Sequence, residues 1–107
     1  MIIVTTETIP GKEILEVVGI VRGSTVRARN VGRDIFAGLK NLVGGEVSEY
    51  TQLLASSREE ALKRMIQDAE RQGANAVVNV RFTTSTVMQG TSEILAYGTG
   101  VKIRLTI

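Results

Sequence analysis

EILAYGTGVKIRLTI, residues 93–107, is the stretch on which the fold turns. Leu95, Tyr97, Thr99, Val101, Ile103, Leu105 and Ile107 share one face of an extended chain and are mostly apolar. Such a period of two marks a strand. The opposite face runs Ile94, Ala96, Gly98, Gly100, Lys102, Arg104, small at first and charged later. That order predicts close packing at one end of the strand and solvent or a partner at the other.

Upstream, ANAVVNVRFTTSTVM (74–88) also alternates, with Ala76, Val78, Val80 and Phe82 on one side and Asn79, Arg81, Thr83 and Ser85 on the other. It predicts a second strand, joined to the last by a turn over Met88–Ser92 that contains Gly90. Before it, Tyr50, Leu53, Leu54, Ala61, Leu62, Met65, Ile66 and Ala69 recur in one helical phase from Ser48 to the stop at Gly73. Ser57-Arg58-Glu59-Glu60 has the form of a capping box, but the stripe runs through it without a jump, so one long helix is expected. Glu59 with Lys63 and Glu60 with Arg64 are its supporting pairs.

Val31, Ile35, Leu39, Leu42 and Val43 predict a short helix, with Asn30 as N-cap, Asp34 in the first turn and Gly44-Gly45 as its stop. Ahead of it three strands are expected, Met1–Thr5, Ile14–Val21 and Thr25–Arg29, with turns at Thr8–Gly11 and Gly23-Ser24. Ile14–Val21 is apolar except at Glu16 and Gly19, which predicts cover on both faces. The expectation is a single α+β domain over residues 1–107, in the order β-β-β-α-α-β-β. Its sheet is largely antiparallel, with a short and a long helix on one face. The strands carry more apolar surface than two such helices cover, so subunit contacts follow.

The composition narrows the chemistry. Hydrophobic residues make up 43% and charged residues 22%, the balance of a globular chain. The pI of 9.3 reflects late-titrating bases more than excess charge, since the net charge is only +2 and the signs are interleaved. No run approaches a membrane span and no leader pattern opens the chain, so the expected location is cytoplasmic, with no membrane partner.

Cysteine and histidine are absent. A zinc, copper or heavy-metal site within one chain therefore lacks its ligands, and Met1, Met65 and Met88 are weak, scattered substitutes. Glu46 with Glu49, and Glu59 with Glu60 and Asp68, read as solvated helix faces rather than oxygen-only metal sites. Glu16 and Glu93, inside apolar strands, read as partners in cross-strand ion pairs. No nucleophile, acid-base pair or cofactor motif emerges, so neither an enzyme nor a resident cofactor is expected. Phe36, Tyr50, Phe82 and Tyr97 lie in apolar patterns and read as core, leaving weak nucleic-acid binding a minor alternative.

One cluster merits a binding reading. Arg27 and Arg29 on one strand face, then Gly32 and Arg33 where strand gives way to helix, would suit a small anionic ligand such as a phosphate or carboxylate. The alternative for Arg29 and Arg33 is pairing with Asp34, Glu46 or an acid of a neighbouring subunit.

RNVGRDIFAGL (29–39), GGEVSEYT (44–51), REEAL (58–62), GANAVVNVRF (73–82) and YGTGV (97–101) resemble, in the same order, the YbjQ-like family of small bacterial and archaeal proteins. That resemblance implies an α+β subunit similar to the dodecin subunit class, assembled as a ring-shaped homopentamer. The family's function is uncharacterised and its label is heavy-metal binding. Metal-ion binding through oxygen ligands is the alternative that the label suggests.

Overall fold

The structure, a computed structural model, describes residues 1–27, 48–89 and 91–106. Its elements are β1 (Ile2–Ile3), β2 (Ile14–Arg27), α1 (Ser48–Arg71), β3 (Ala76–Met88) and β4 (Thr91–Ile103). They form a four-stranded sheet in the order β1-β3-β4-β2, with β1 parallel to β3 and the other pairs antiparallel. The expected short helix over 31–43, its Gly44-Gly45 stop and residue Arg29 lie outside the described residues.

The α+β class, the long helix and the final strand pair match the sequence reading; the expected count of three early strands does not. Ile14–Arg27 is one unbroken strand, so the described order is β-β-α-β-β. Gly23-Ser24 is no turn. Gly23 lies directly beneath α1, where an added Cβ would collide with the Met65 nitrogen and Ala61 oxygen of the helix backbone and stand 2.6 Å from the Arg64 carbonyl carbon. Its glycine serves a close approach between strand and helix, which at sequence level looks the same as a turn.

The helix buries Ala61, Met65 and Ala69, one residue per turn, against Val21, Val77, Val80, Ile94 and Ala96. Gly23 opposite Ala96, Val21 opposite Gly98 and Gly19 opposite Gly100 line the sheet beneath it. This is the small face of the last strand, and close packing there is as expected. At its end, Gly73 (φ 87°) donates to the Glu70 oxygen at 3.0 Å and Ala74 to the Ala69 oxygen at 2.9 Å, the paired bonds of a Schellman motif. The helix continues through Ser57, whose carbonyl accepts the Thr25 hydroxyl at 2.9 Å.

A polar stripe on α1 closes the outer edge of β2. Arg64 Nη1 donates to the Ser24 oxygen at 2.6 Å, the Arg22 nitrogen donates to Asp68 Oδ2 at 2.9 Å, and Gln72 Nε2 donates to the Ile20 oxygen at 3.3 Å. Residues 64, 68 and 72 are four apart on the helix and residues 24, 22 and 20 two apart on the strand. One helical turn therefore advances about as far as two strand residues, roughly 5–7 Å. Asp68 is thus no solvated face residue. Partial burial works to raise its pKa, but hydrogen bonds from Arg22 and Gln72 and the charge and hydrogen bond of Arg71 hold it below the ordinary 3.8.

The sign follows from linkage. A carboxyl whose folded pKa is depressed contributes stability above its ordinary value, and that stability is lost as pH falls through the lowered one. Asp68→Ala is expected to cost about 1 kcal/mol at pH 7. The gap between variant and parent in urea midpoints should narrow below pH 4; a gap unchanged at pH 3 would contradict this account.

β3 departs from strict alternation. Asn79 sits at φ 56°, a conformation asparagine tolerates better than most, and the register slips there by one residue. Ala76 and Val78 therefore face away from α1, joining Ile9, Val101 and Ile103 in a second cluster, while Val77 and Val80 face the helix. The bulge corrects the expected set of Ala76, Val78, Val80 and Phe82 on one side.

Candidate functional site

Cover on the two faces of the sheet is unequal. α1 protects one face, and on the other the segment around Ile9 and Val4 covers only the end nearest β1. Val17 and Ile20 of β2 consequently remain 65% and 73% exposed, against the expectation that both faces of that strand are covered. α1 is the one helix among the described residues, and it covers only one face.

Cross-strand register arranges the bare region in rows. Ile20 lies opposite Thr99, which pairs with Val78; Arg22 lies opposite Tyr97, which pairs with Arg81; Ser24 lies opposite Leu95, which pairs with Thr83; Val26 lies opposite Glu93, which pairs with Ser85. Arg22 belongs to this face because its neighbours Val21 and Gly23 point toward α1. Arg81 Nη1 is anchored by donating to the Thr5 and Val80 oxygens, both at 2.8 Å.

Tyr97 is 38% and Phe82 45% exposed, so neither is the core residue that its pattern suggested. They occupy opposite faces, since Phe82 pairs with the helix-facing Ala96, and they make no shared stacking platform. Phe36 lies outside the described residues. An open groove of about 360 Å³ flanks α1 between Glu59, Leu62, Lys63, Ile66, Gln67 and Glu70, with charges of both signs.

Of the expected anion-site residues, Arg27 closes β2 opposite Ser92, while Arg29, Gly32 and Arg33 lie outside the described residues. The two strand glutamates part ways. Glu16 pairs with Lys102 across β2 and β4 at 3.6 Å, as expected, whereas Glu93 makes no ion pair among the described residues. Glu60 pairs with Arg64 at 3.2 Å; Glu59 and Lys63 make no such pair.

The donors also test the heavy-metal label. The chain has no thiolate or imidazole, Met65 is sealed in the core, and Met1 and Met88 are exposed. Among the described residues no three acidic side chains converge. These residues do not fit a heavy-metal ion.

Fold and surface together define a small α+β domain in which, among the described residues, one helix lies over a glycine-lined sheet and much of the opposite sheet face is exposed. The chain belongs to the YbjQ family: the family profile described as "Putative heavy-metal-binding" matches residues 1–104. It is 61% identical over 104 residues to a UPF0145 protein of Archaeoglobus fulgidus, covering 97% of this chain and 96% of that one. A UPF0145 protein of Methanosarcina acetivorans is 59% identical over 103 residues, covering 96% and 97%. The crystal structure of a protein of unknown function of the DUF74 family from Pediococcus pentosaceus superposes with a TM-score of 0.63 at 16% identity, covering 97% of this chain and 98% of that one, a likeness of fold.

Proposed function

We propose that the protein acts as a homo-oligomer, a ring-like pentamer in the cytoplasm, with a structural or small-anion-binding role and no catalytic one. The observation that carries the assembly is the distal half of the β3–β4 hairpin. From Arg81 to Gln89 every residue is exposed, including Phe82, Val87 and Met88. Among the described residues the outer edge of β3 is covered only as far as Val80, by β1 at Ala76 and Val77 and then by backbone hydrogen bonds of Val4 and Thr6, while the edge of β2 is partly closed by Arg64, Asp68 and Gln72. Long exposed edges are otherwise a liability that soluble chains cover. The extents of 57 × 28 × 17 Å and radius of gyration of 17.3 Å also support it, against about 13 Å for a compact chain of this size. No described helix is long and apolar enough to cross a membrane.

Light scattering coupled to gel filtration at micromolar concentration is expected to return a particle of five 11.6 kDa subunits. Val87→Asp combined with Met88→Asp should lower that mass. A monomeric parent would remove the proposal.

A further inference from the structure

We propose that the outer edge of β3, at Phe82, Thr84 and Thr86, accepts an extended segment of a second copy of this chain as an added strand, while α1 seals the edge of β2 against the same pairing. The inference rests on the assembly reading above and gives the subunit contact a place and a bond type.

The backbone decides which amides are free. The Arg22 nitrogen donates to Asp68 at the outer edge of β2, so Arg22 turns its amide away from β4, and Tyr97 opposite it turns its own toward β3. Arg81, the partner of Tyr97 on β3, therefore faces β4 with its N–H and C=O. From Arg81 to Thr86 the register runs without a shift, so Phe82, Thr84 and Thr86 direct theirs outward. Val80 sets the same phase independently, since its nitrogen donates outward to the Val4 oxygen at 3.0 Å. The cover of this edge ends there, where Arg81 Nη1 donates to the Thr5 oxygen at 2.8 Å. Beyond it the edge is open among the described residues.

The two edges of the sheet differ in kind. Along β2, Arg64, Asp68 and Gln72 bond the Ser24 oxygen, the Arg22 nitrogen and the Ile20 oxygen, alternate residues, as a neighbouring strand would. Along β3, the run FTTSTVMQ from Phe82 to Gln89 holds neither a charge nor a proline, two devices that blunt a free edge. Its phenylalanine, threonines and valine favour the extended chain. A protein that guards one edge and leaves the other uncharged and regular directs pairing to the second.

The flanks of α1 repeat the asymmetry. At about 100° per residue, Arg64, Asp68 and Gln72 fall on one flank of the buried Ala61, Met65 and Ala69, toward β2, and Leu62 and Ile66 on the other, toward β3. Leu62 and Ile66 line the open groove of about 360 Å³, and Phe82 shares the α1 side of the sheet. A strand seated about 4.8 Å outside β3 would lay a side chain beside Phe82 on this face.

The edge carries no charge to select a partner of either sign, and exposed Val87 and Met88 continue it, which favours another copy as its occupant. In a ring of five every contact is heterologous, so the incoming segment is not β3 itself; two β3 edges pairing with each other would close a dimer.

Two measurements on the full chain test this contact. In the parent at micromolar concentration, hydrogen exchange at the Phe82, Thr84 and Thr86 amides should be at least about a hundredfold slower than in an unprotected peptide. Thr84→Pro removes one outward N–H and spares the ladder to β4, so it should lower the mass seen by light scattering while keeping a cooperative melt. Thr84→Val, which retains the N–H, should keep the parent's mass. An assembled parent in which the three amides exchange freely, or a Thr84→Pro variant of unchanged mass, would overturn the edge pairing and leave assembly through side chains intact. A protected dimer would uphold the edge and overturn the ring. A monomeric parent would overturn both the contact and the assembly reading, and amides protected in that monomer would give the edge to a segment of the same subunit. The exchange measurement needs no variant and decides alone if the proline variant fails to melt cooperatively.

Discussion

Gly23→Ala is expected to destabilise the protein by about 3 kcal/mol or more, beyond the usual range for an added methyl in a packed interior. The obstruction is not a movable side chain. The new carbon would sit against the backbone of α1 at Ala61, Arg64 and Met65, so the helix must lift away from β2. Lifting exposes Ala61, Met65 and Ala69 together and stretches the contacts of Arg64, Asp68 and Gln72 with the strand edge. The loss should lower the melting temperature on the order of 15 °C, compared at equal subunit concentration because assembly makes it concentration-dependent. Gly11→Ala is the control: its φ is 79° with nothing within 4 Å, so it should cost only backbone strain, about 1 kcal/mol. Equal melting points for Gly23→Ala and the parent would mean that the helix does not approach the sheet as described.

Met65→Ala should follow closely, at about 3 kcal/mol, the sum of lost burial and the cavity left behind. Met65 heads the largest fully buried side chains and packs in the cluster with Val21, Val77 and Ala96. Its neighbours at Gly23 and Ala96 have little side chain with which to fill the void. Met65→Leu nearly conserves volume and should cost less than about 1.5 kcal/mol. Urea midpoints for the pair measure the difference; an alanine variant as stable as the leucine one would place Met65 outside the core.

Both predictions concern positions that the sequence marked only in part. The stripe of Ala61, Met65 and Ala69 was legible because helical period and burial coincide, and Gly73 announced the stop that the Schellman bonds complete. Glu16 was legible as a cross-strand partner because an isolated acid in an apolar strand needs a cation, and Lys102 is one. Gly23 was not, because a glycine at a turn and a glycine under a helix carry the same letter. Asp68 was not, because its hydrogen-bond donor is a backbone amide on another element, which no side-chain pattern encodes.

Period and composition alone carried the α+β class, the long helix, the antiparallel final pair and the lack of thiolate and imidazole ligands, whereas the family was carried by its ordered motifs. They rest on local spacing and on which atoms the side chains contain. Tertiary structure was needed to choose which face of β4 lies under the helix, to run β2 through Gly23 without a turn and to insert the bulge at Asn79. It also aligned Arg22, Tyr97 and Arg81 in one row. The reason is physical: where two backbones meet, the stabilising feature is the absence of a side chain, and where three strands meet, neighbours are set by register rather than by distance along the chain.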